Sequence, residues 1–216
     1  GMSGAMLPST GLMTHLGAKT YWPIYEEAQR LGCGLAIHGG AHQDMGMNTL
    51  NVFAAIHAVG HPVGIMLGLA SLVFNGVFDK FPTLKVAFLE GGVGWLLMAL
   101  ERFAGSYGAF KPYDPRGELL RLADGQGVDE YIIDLCKAGR VVVGIEGDEP
   151  LLAQAVKMAG REGFMYSSDF PHEVNLSSIR HEIEELLEIE ELDADDKEAI
   201  LHKNALSFYN LEHASA

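Results

Sequence analysis

Four ionisable side chains, each at or just beyond the end of a short apolar run, are the residues of this sequence best suited to chemistry. They are His38, Glu90, Glu146 and Asp169. Imidazole and carboxylate groups that share one cavity can bind a divalent metal such as zinc, or can work as a general acid–base pair. A fold that brings the ends of the four runs together would therefore create a site for metal binding or proton transfer.

Asp169 lies in the most informative of these runs, which begins at Phe164 and ends at His172. A carboxylate at the end of a buried strand is costly unless a charged group faces it. Pro171 fixes a backbone angle and stops the strand, so we expect Asp169 at a strand-to-loop boundary. We predict that His172 orients Asp169; the alternative is a surface histidine.

The four apolar runs are typical of buried β-strands, and stretches with helical periodicity separate them. The predicted strands are 34–37, 85–89, 140–145 and the run that begins at Phe164, and the predicted helices are 21–31, 49–59, 62–75, 93–103, 128–137, 149–160, 176–188 and 194–209. This alternation indicates an α/β protein built from about four parallel βα units. In a barrel of parallel strands, catalytic side chains collect at the carboxyl ends of the strands.

The boundaries of the domain and of several helices follow from local signals. Residues 1–20 show no clear periodicity, and we predict an N-terminal arm there, followed by a single domain over residues 21–216. Asn48 or Thr49 is the expected cap of the second helix, and the pair His61-Pro62 is expected to separate the second helix from the third. Asp148 is the expected cap of the helix over 149–160.

The composition limits the classes of function. The chain has 216 residues, 48% of them hydrophobic, and a net charge of −14, which disfavours nucleic acid and anionic membrane surfaces as partners. No uninterrupted apolar run approaches the roughly 20 residues of a membrane span. Cys33 and Cys136 stand in no metal or redox spacing and are predicted to be buried free thiols of a cytoplasmic protein.

Several motifs together resemble one branch of the amidohydrolase superfamily, the amidohydrolase-related (amidohydrolase 2) group that includes aminocarboxymuconate-semialdehyde decarboxylase. They are Ala36-Ile37-His38-Gly39-Gly40, the run Gly76 to Val86 (GVFDKFPTLKV), Ser168-Asp169-Phe170-Pro171-His172 and the closing run Asp196 to Ala205 (DKEAILHKNA). The resemblance extends from about Tyr21 to Leu211.

The resemblance implies a (β/α)8 TIM barrel that holds a divalent metal, which we expect to be zinc. By motif, His38 matches a metal-ligating histidine of a later strand, and Asp169 matches the aspartate of the last strand. The position at which the decarboxylase carries a catalytic histidine is Glu90 here. The group's His-x-His motif of the first strand is missing from this sequence. We therefore expect the C-terminal half of the barrel, an incomplete fold of about four units.

This resemblance implies an enzyme that hydrolyses or decarboxylates a small carboxylate or carbonyl substrate. Asp169 and Glu90 are the predicted catalytic residues, and His38 and Asp169 are the predicted metal ligands. His61, Glu146 and His172 are predicted to bind substrate or to support the ligands.

Simpler roles remain open for these residues. Asp169 can cap the loop that follows it, His38 can be a core histidine, and Glu90 can cap a helix N-terminus.

Two other functions are also compatible with the sequence. One is a catalytically silent half-barrel with a structural or binding role, and the other is a metal-independent hydrolase of lactonase type. A half-barrel has two open sheet edges and an exposed apolar inner face, so we expect a homodimer or a higher homo-oligomer.

Overall fold

Five short strands form one parallel sheet in the computed structural model, which describes residues 2–40, 42, 44–114, 120–147, 149–172 and 174–211. The strands are β1 (Gly4–Pro8), β2 (Gly34–His38), β3 (Val86–Phe88), β4 (Val141–Ile145) and β5 (Phe164–Tyr166). They lie side by side in chain order, and every neighbouring pair is parallel. The carboxyl ends of all five strands therefore lie at one edge of the sheet, as the α/β prediction requires.

Nine α-helices occur in the described residues. They are α1 (Trp22–Leu31), α2 (Phe53–Phe74), α3 (Val77–Lys80), α4 (Gly94–Phe110), α5 (Val128–Lys137), α6 (Leu152–Ala159), α7 (Leu176–Glu188), α8 (Ala194–Glu198) and α9 (Asn204–Phe208). A π-helical turn, Ala199–Lys203, joins α8 to α9. The predicted helices over 21–31, 128–137 and 176–188 agree with α1, α5 and α7 to within one residue.

The N-terminal arm predicted for residues 1–20 is wrong in part, because Gly4–Pro8 forms β1. The sheet therefore has five strands rather than four. The sequence Gly-Ala-Met-Leu-Pro shows neither alternation nor β-branched residues, and Met6 is 65% exposed. Pairing along the whole length of β2 holds this strand in place, from Gly4 against Gly34 to Pro8 against His38. Such non-local pairing leaves little signal in local propensity.

The predicted break at His61-Pro62 is also wrong, because α2 runs without interruption from Phe53 to Phe74 with Pro62 inside it. An internal proline costs about 3 kcal/mol in an isolated helix. Packing offsets this cost, since one face of α2 is buried against the sheet; its members are Gly60, Gly64, Ile65, Gly68, Leu69, Leu72 and Val73. The residue before the helix is Val52, so neither Asn48 nor Thr49 caps it.

By length and composition alone, α2 is the one described helix that could cross a membrane. The length of this helix was not predicted from the sequence, because Pro62 was expected to divide the segment. Four of its buried residues, Ile65, Leu69, Leu72 and Val73, belong to the large core.

The ends of two other predicted helices also differ. Helix α4 continues to Phe110, and α6 begins at Leu152 rather than at residue 149. The predicted cap Asp148 lies outside the described residues. Cys33 and Cys136 are free, as predicted, but only Cys136 is buried.

The two faces of the sheet are covered differently. The helices α1 to α6 build the large core on one face, around residues such as Ile37, Phe88 and Val143. On the other face, Ala87, Val142 and Met165 pack against Phe208 of α9. Gly34 permits this approach, because an added Cβ would lie 2.4 Å from the Phe208 ring. The C-terminal segment thus covers the second face of the sheet.

Candidate functional site

The predicted site residues lie at the carboxyl end of the sheet. His38 is the last residue of β2, while Glu90, Glu146 and Asp169 follow β3, β4 and β5 within three residues. The backbones of Glu90 and Asp169 lie in the left-handed region, with φ of 61° and 51°. A carboxylate residue in this region is uncommon, and such strained positions concentrate at functional sites.

Glu90 joins two histidines from different elements. Its Oε1 lies 2.6 Å from Nε2 of His38, and its Oε2 lies 3.0 Å from Nδ1 of His61, which is on α2. The Nδ1 atom of His38 lies 2.8 Å from the carbonyl oxygen of Gly39. Both ring nitrogens of His38 thus face oxygen acceptors, and both can donate only when the imidazole is doubly protonated. A carboxylate between two imidazoles can store or transfer a proton.

His61 is the centre of a histidine cluster, which we define as His38, His42, His57 and His61. The centre of the His61 ring lies 5.7 Å from that of His38, 5.3 Å from that of His42 and 5.2 Å from that of His57. Burial lowers the pKa of His61, and the neighbouring imidazoles lower it further, whereas the Glu90 carboxylate raises it. Buried Nε2 of His42 has no hydrogen-bond partner among the described residues.

One group of three side chains in the described part of the chain could hold a metal ion. It consists of Glu90, Asp169 and His172, whose ligand atoms all lie within 4.8 Å of one another. Nδ1 of His172 lies 2.7 Å from Oδ1 of Asp169. Two carboxylates and an imidazole suit a divalent ion such as zinc or manganese, so the residues present fit the implied metal. His38 is not a member of this group; it reaches the group through Glu90.

Glu146 differs from the other predicted site residues. Its side chain is exposed, and its backbone N–H donates to Oε1 of Glu149 at 2.9 Å. The other oxygen of Glu149 accepts from the backbone N–H of Val93 at 2.7 Å. Val93 directly precedes α4, so Glu149 supplies the helix-terminal carboxylate that was considered for Glu90. Burial raises the pKa of Glu149 to about 7, against the opposing effect of the two N–H donors.

Sequence reasoning missed His42, His57 and Glu149. His57 and His61 are four residues apart on one helix, a spacing that places both rings on the same face. This spacing indicates a shared helix face only if residues 53–74 form one helix, whereas the sequence predicted a break at His61-Pro62. Glu149 comes three residues after Glu146 in the acidic run Glu146 to Glu149, but no periodicity distinguishes a carboxylate that binds backbone amides from an exposed one.

Comparisons with known proteins agree with this architecture. The amidohydrolase family model Amidohydro_2 matches residues 4–211. The 2-amino-3-carboxymuconate-6-semialdehyde decarboxylase of Dictyostelium discoideum is 27% identical over 213 residues, which are 98% of this chain and 54% of that protein.

Solved structures show the same fold. A 5-carboxyvanillate decarboxylase from Novosphingobium aromaticivorans, complexed with manganese and a nitrobenzoic acid, superposes with a TM-score of 0.77 at 20% identity, over 96% of this chain and 56% of that one. An amidohydrolase from Mycobacterium avium superposes with a TM-score of 0.73 at 18% identity, over 96% of this chain and 51% of that one. The chain thus spans about half the length of the relatives it matches, and its parallel α/β sheet corresponds to part of their TIM barrel. With a family match over nearly all its residues, the chain belongs to the Amidohydro_2 amidohydrolase family.

Proposed function

We propose that this protein is a divalent-metal-dependent enzyme that hydrolyses or decarboxylates a small carboxylate or carbonyl substrate. The observation that supports this proposal is the convergence of Glu90, Asp169 and His172 at the carboxyl end of the sheet. The decarboxylase names of two relatives point to the same substrate class.

Asp169 and His172 would hold the metal together with an oxygen of Glu90. A divalent ion bound there supplies Lewis-acid polarisation of a substrate oxygen. The expected zinc stays a prediction, and manganese is the ion named with one solved relative.

Proton transfer falls to the residues around Glu90. Its carboxylate contacts Nε2 of His38 and Nδ1 of His61, so a proton can be held on any of the three groups. In a hydrolysis, this trio would accept a proton from the attacking water. In a decarboxylation, it would deliver a proton to the carbon that loses CO2. The prediction that Glu146 contacts the substrate stays a proposal, and its exposed side chain is compatible with it.

Metal removal tests the proposed function. We expect the purified chain to turn over members of a panel of aromatic and aliphatic carboxylates, esters and lactones, with CO2 release and acid release followed separately. Dialysis against a chelator should abolish turnover, and Mn²⁺ or Zn²⁺ should restore it. Turnover that the chelator leaves unchanged would favour the metal-independent lactonase-type hydrolase. A chain that neither binds metal nor turns over any substrate would be the silent half-barrel.

We also propose a homodimer or a higher homo-oligomer. Among the described strands, β1 pairs only with β2 and β5 only with β4, so the sheet has two open edges. Unpaired backbone groups at such edges favour association with another chain. Light scattering at micromolar concentration should give at least twice the 23.4 kDa mass of one chain. A monomer over the whole concentration range contradicts this proposal.

A further inference from the structure

The loop between β3 and α4, which carries Glu90, is fixed at both of its ends. At its start, the backbone N–H of Leu89 donates to the carbonyl oxygen of Ile37 at 2.9 Å. At its end, the backbone N–H of Val93 donates to Oε2 of Glu149 at 2.7 Å. The first bond belongs to the sheet, whereas the second depends on the side chain of Glu149, which lies between β4 and α6.

Two residues between these fixed points, Glu90 and Gly92, lie in the left-handed region, with φ of 61° and 63°. A glycine adopts this conformation without cost, but a glutamate needs surrounding structure to hold it there. Gly92 also lies against Glu149, since an added Cβ would be 3.4 Å from Oε2. The carboxylate of Glu149 is therefore packed directly on the segment whose backbone presents Glu90.

The same carboxylate holds the neighbouring loop. Its Oε1 accepts from the backbone N–H of Glu146 at 2.9 Å, in the loop that follows β4. An ionised carboxylate has two oxygens that both accept, so it satisfies one amide in each loop. Burial raises the pKa of Glu149 to about 7, and the two N–H donors oppose this rise because they favour the ionised carboxylate.

We infer that Glu149 is a positioning residue of the metal site: it ties the loop after β3 to the loop after β4 and thereby fixes Glu90 as a ligand and proton carrier. Glu149 does not belong to the candidate metal group itself. The metal-binding consequence rests on the proposed function, whereas the link between the loops does not.

Glu149→Gln tests this inference, because glutamine keeps the size of the side chain but turns one oxygen into an NH2 group. In the variant, this NH2 group would face the backbone N–H of either Val93 or Glu146, and that N–H would lose its acceptor. We therefore expect at least one of the amide hydrogens of Val93 and Glu146 to exchange with solvent about tenfold faster, or more, than in the wild type. We also expect an affinity for Mn²⁺ that is about tenfold lower, the size of effect typical of residues that support metal ligands.

Glu101→Gln is the matched control, since Glu101 is an exposed residue of α4 and its substitution changes the charge equally. Amide exchange by NMR and Mn²⁺ titration are both measured at a temperature at which thermal unfolding shows every variant to be folded. Unchanged exchange in Glu149→Gln would overturn the inference. Faster exchange with unchanged Mn²⁺ affinity would also overturn it, because Glu149 would then be structural only. A wild-type chain that binds no Mn²⁺ refutes the proposed function instead, and the exchange data still decide whether Glu149 joins the loops.

Discussion

Asp169→Asn will lower the affinity of the protein for Mn²⁺ by more than about 100-fold. Residues that only support metal ligands change affinity by about 10- to 100-fold, and the loss of a ligand's charge should exceed that range. Asparagine keeps the shape of the side chain but replaces an anionic oxygen in a group whose ligand atoms lie within 4.8 Å of one another. The substitution also changes the group that faces His172, whose Nδ1 lies 2.7 Å from Oδ1 of Asp169 in the wild type. Isothermal titration of the metal-free variants measures the effect.

Asp124→Asn is the control for this experiment, because Asp124 is exposed and far along the chain from the site loops. It should bind Mn²⁺ as the wild type does. If Asp169→Asn keeps wild-type affinity, Asp169 is only a loop-capping acid, which is the simpler role considered from the sequence.

Phe208→Ala will destabilise the protein by about 3–5 kcal/mol, the usual cost of removing a buried phenylalanine side chain. Phe208 is 2% exposed and fills the second face of the sheet against Ala87, Val142 and Met165. Its ring lies against Gly34, which has no side chain that could fill the space left behind. Urea denaturation followed by circular dichroism measures the free energy of unfolding.

Leu206→Ala provides the comparison, because Leu206 is in the same helix but is 36% exposed. We expect Leu206→Ala to lower the free energy of unfolding clearly less than Phe208→Ala does. The side chain of Asn204 anchors this segment to the start of β5, with Nδ2 donating to the carbonyl oxygen of Phe164 at 2.6 Å. A Phe208→Ala variant within about 1 kcal/mol of the wild type would show that the C-terminal segment does not form part of the core.

The sequence predicted the parts of the fold that repeat along the chain. Continuous apolar runs identified β2 to β5, since strands buried on both faces are apolar at every position. The predicted helix over 21–31 ends at Leu31 as α1 does, and Gly32 follows it with a left-handed backbone at φ 63°. The polar residues at the strand ends predicted a common site, because parallel strands bring their carboxyl ends together.

Features that depend on contacts between distant residues could not be predicted in this way. Strand β1 is held by pairing with β2, and α2 continues through Pro62 because its buried face packs on the sheet. The link from Glu149 to the amides of Val93 and Glu146 depends on the conformations of two loops. Local patterns describe neither the path of a loop nor the direction of a side chain that leaves it.

The position of a bound metal ion shows whether Glu90, Asp169 and His172 form a metal site. Crystals of the wild-type protein grown or soaked in MnCl2 are measured at a wavelength at which manganese scatters anomalously. We expect one strong anomalous peak per chain, contacted by side chains of Glu90, Asp169 and His172. The absence of a peak at these residues, or a peak bound only elsewhere on the chain, would contradict the proposed metal site.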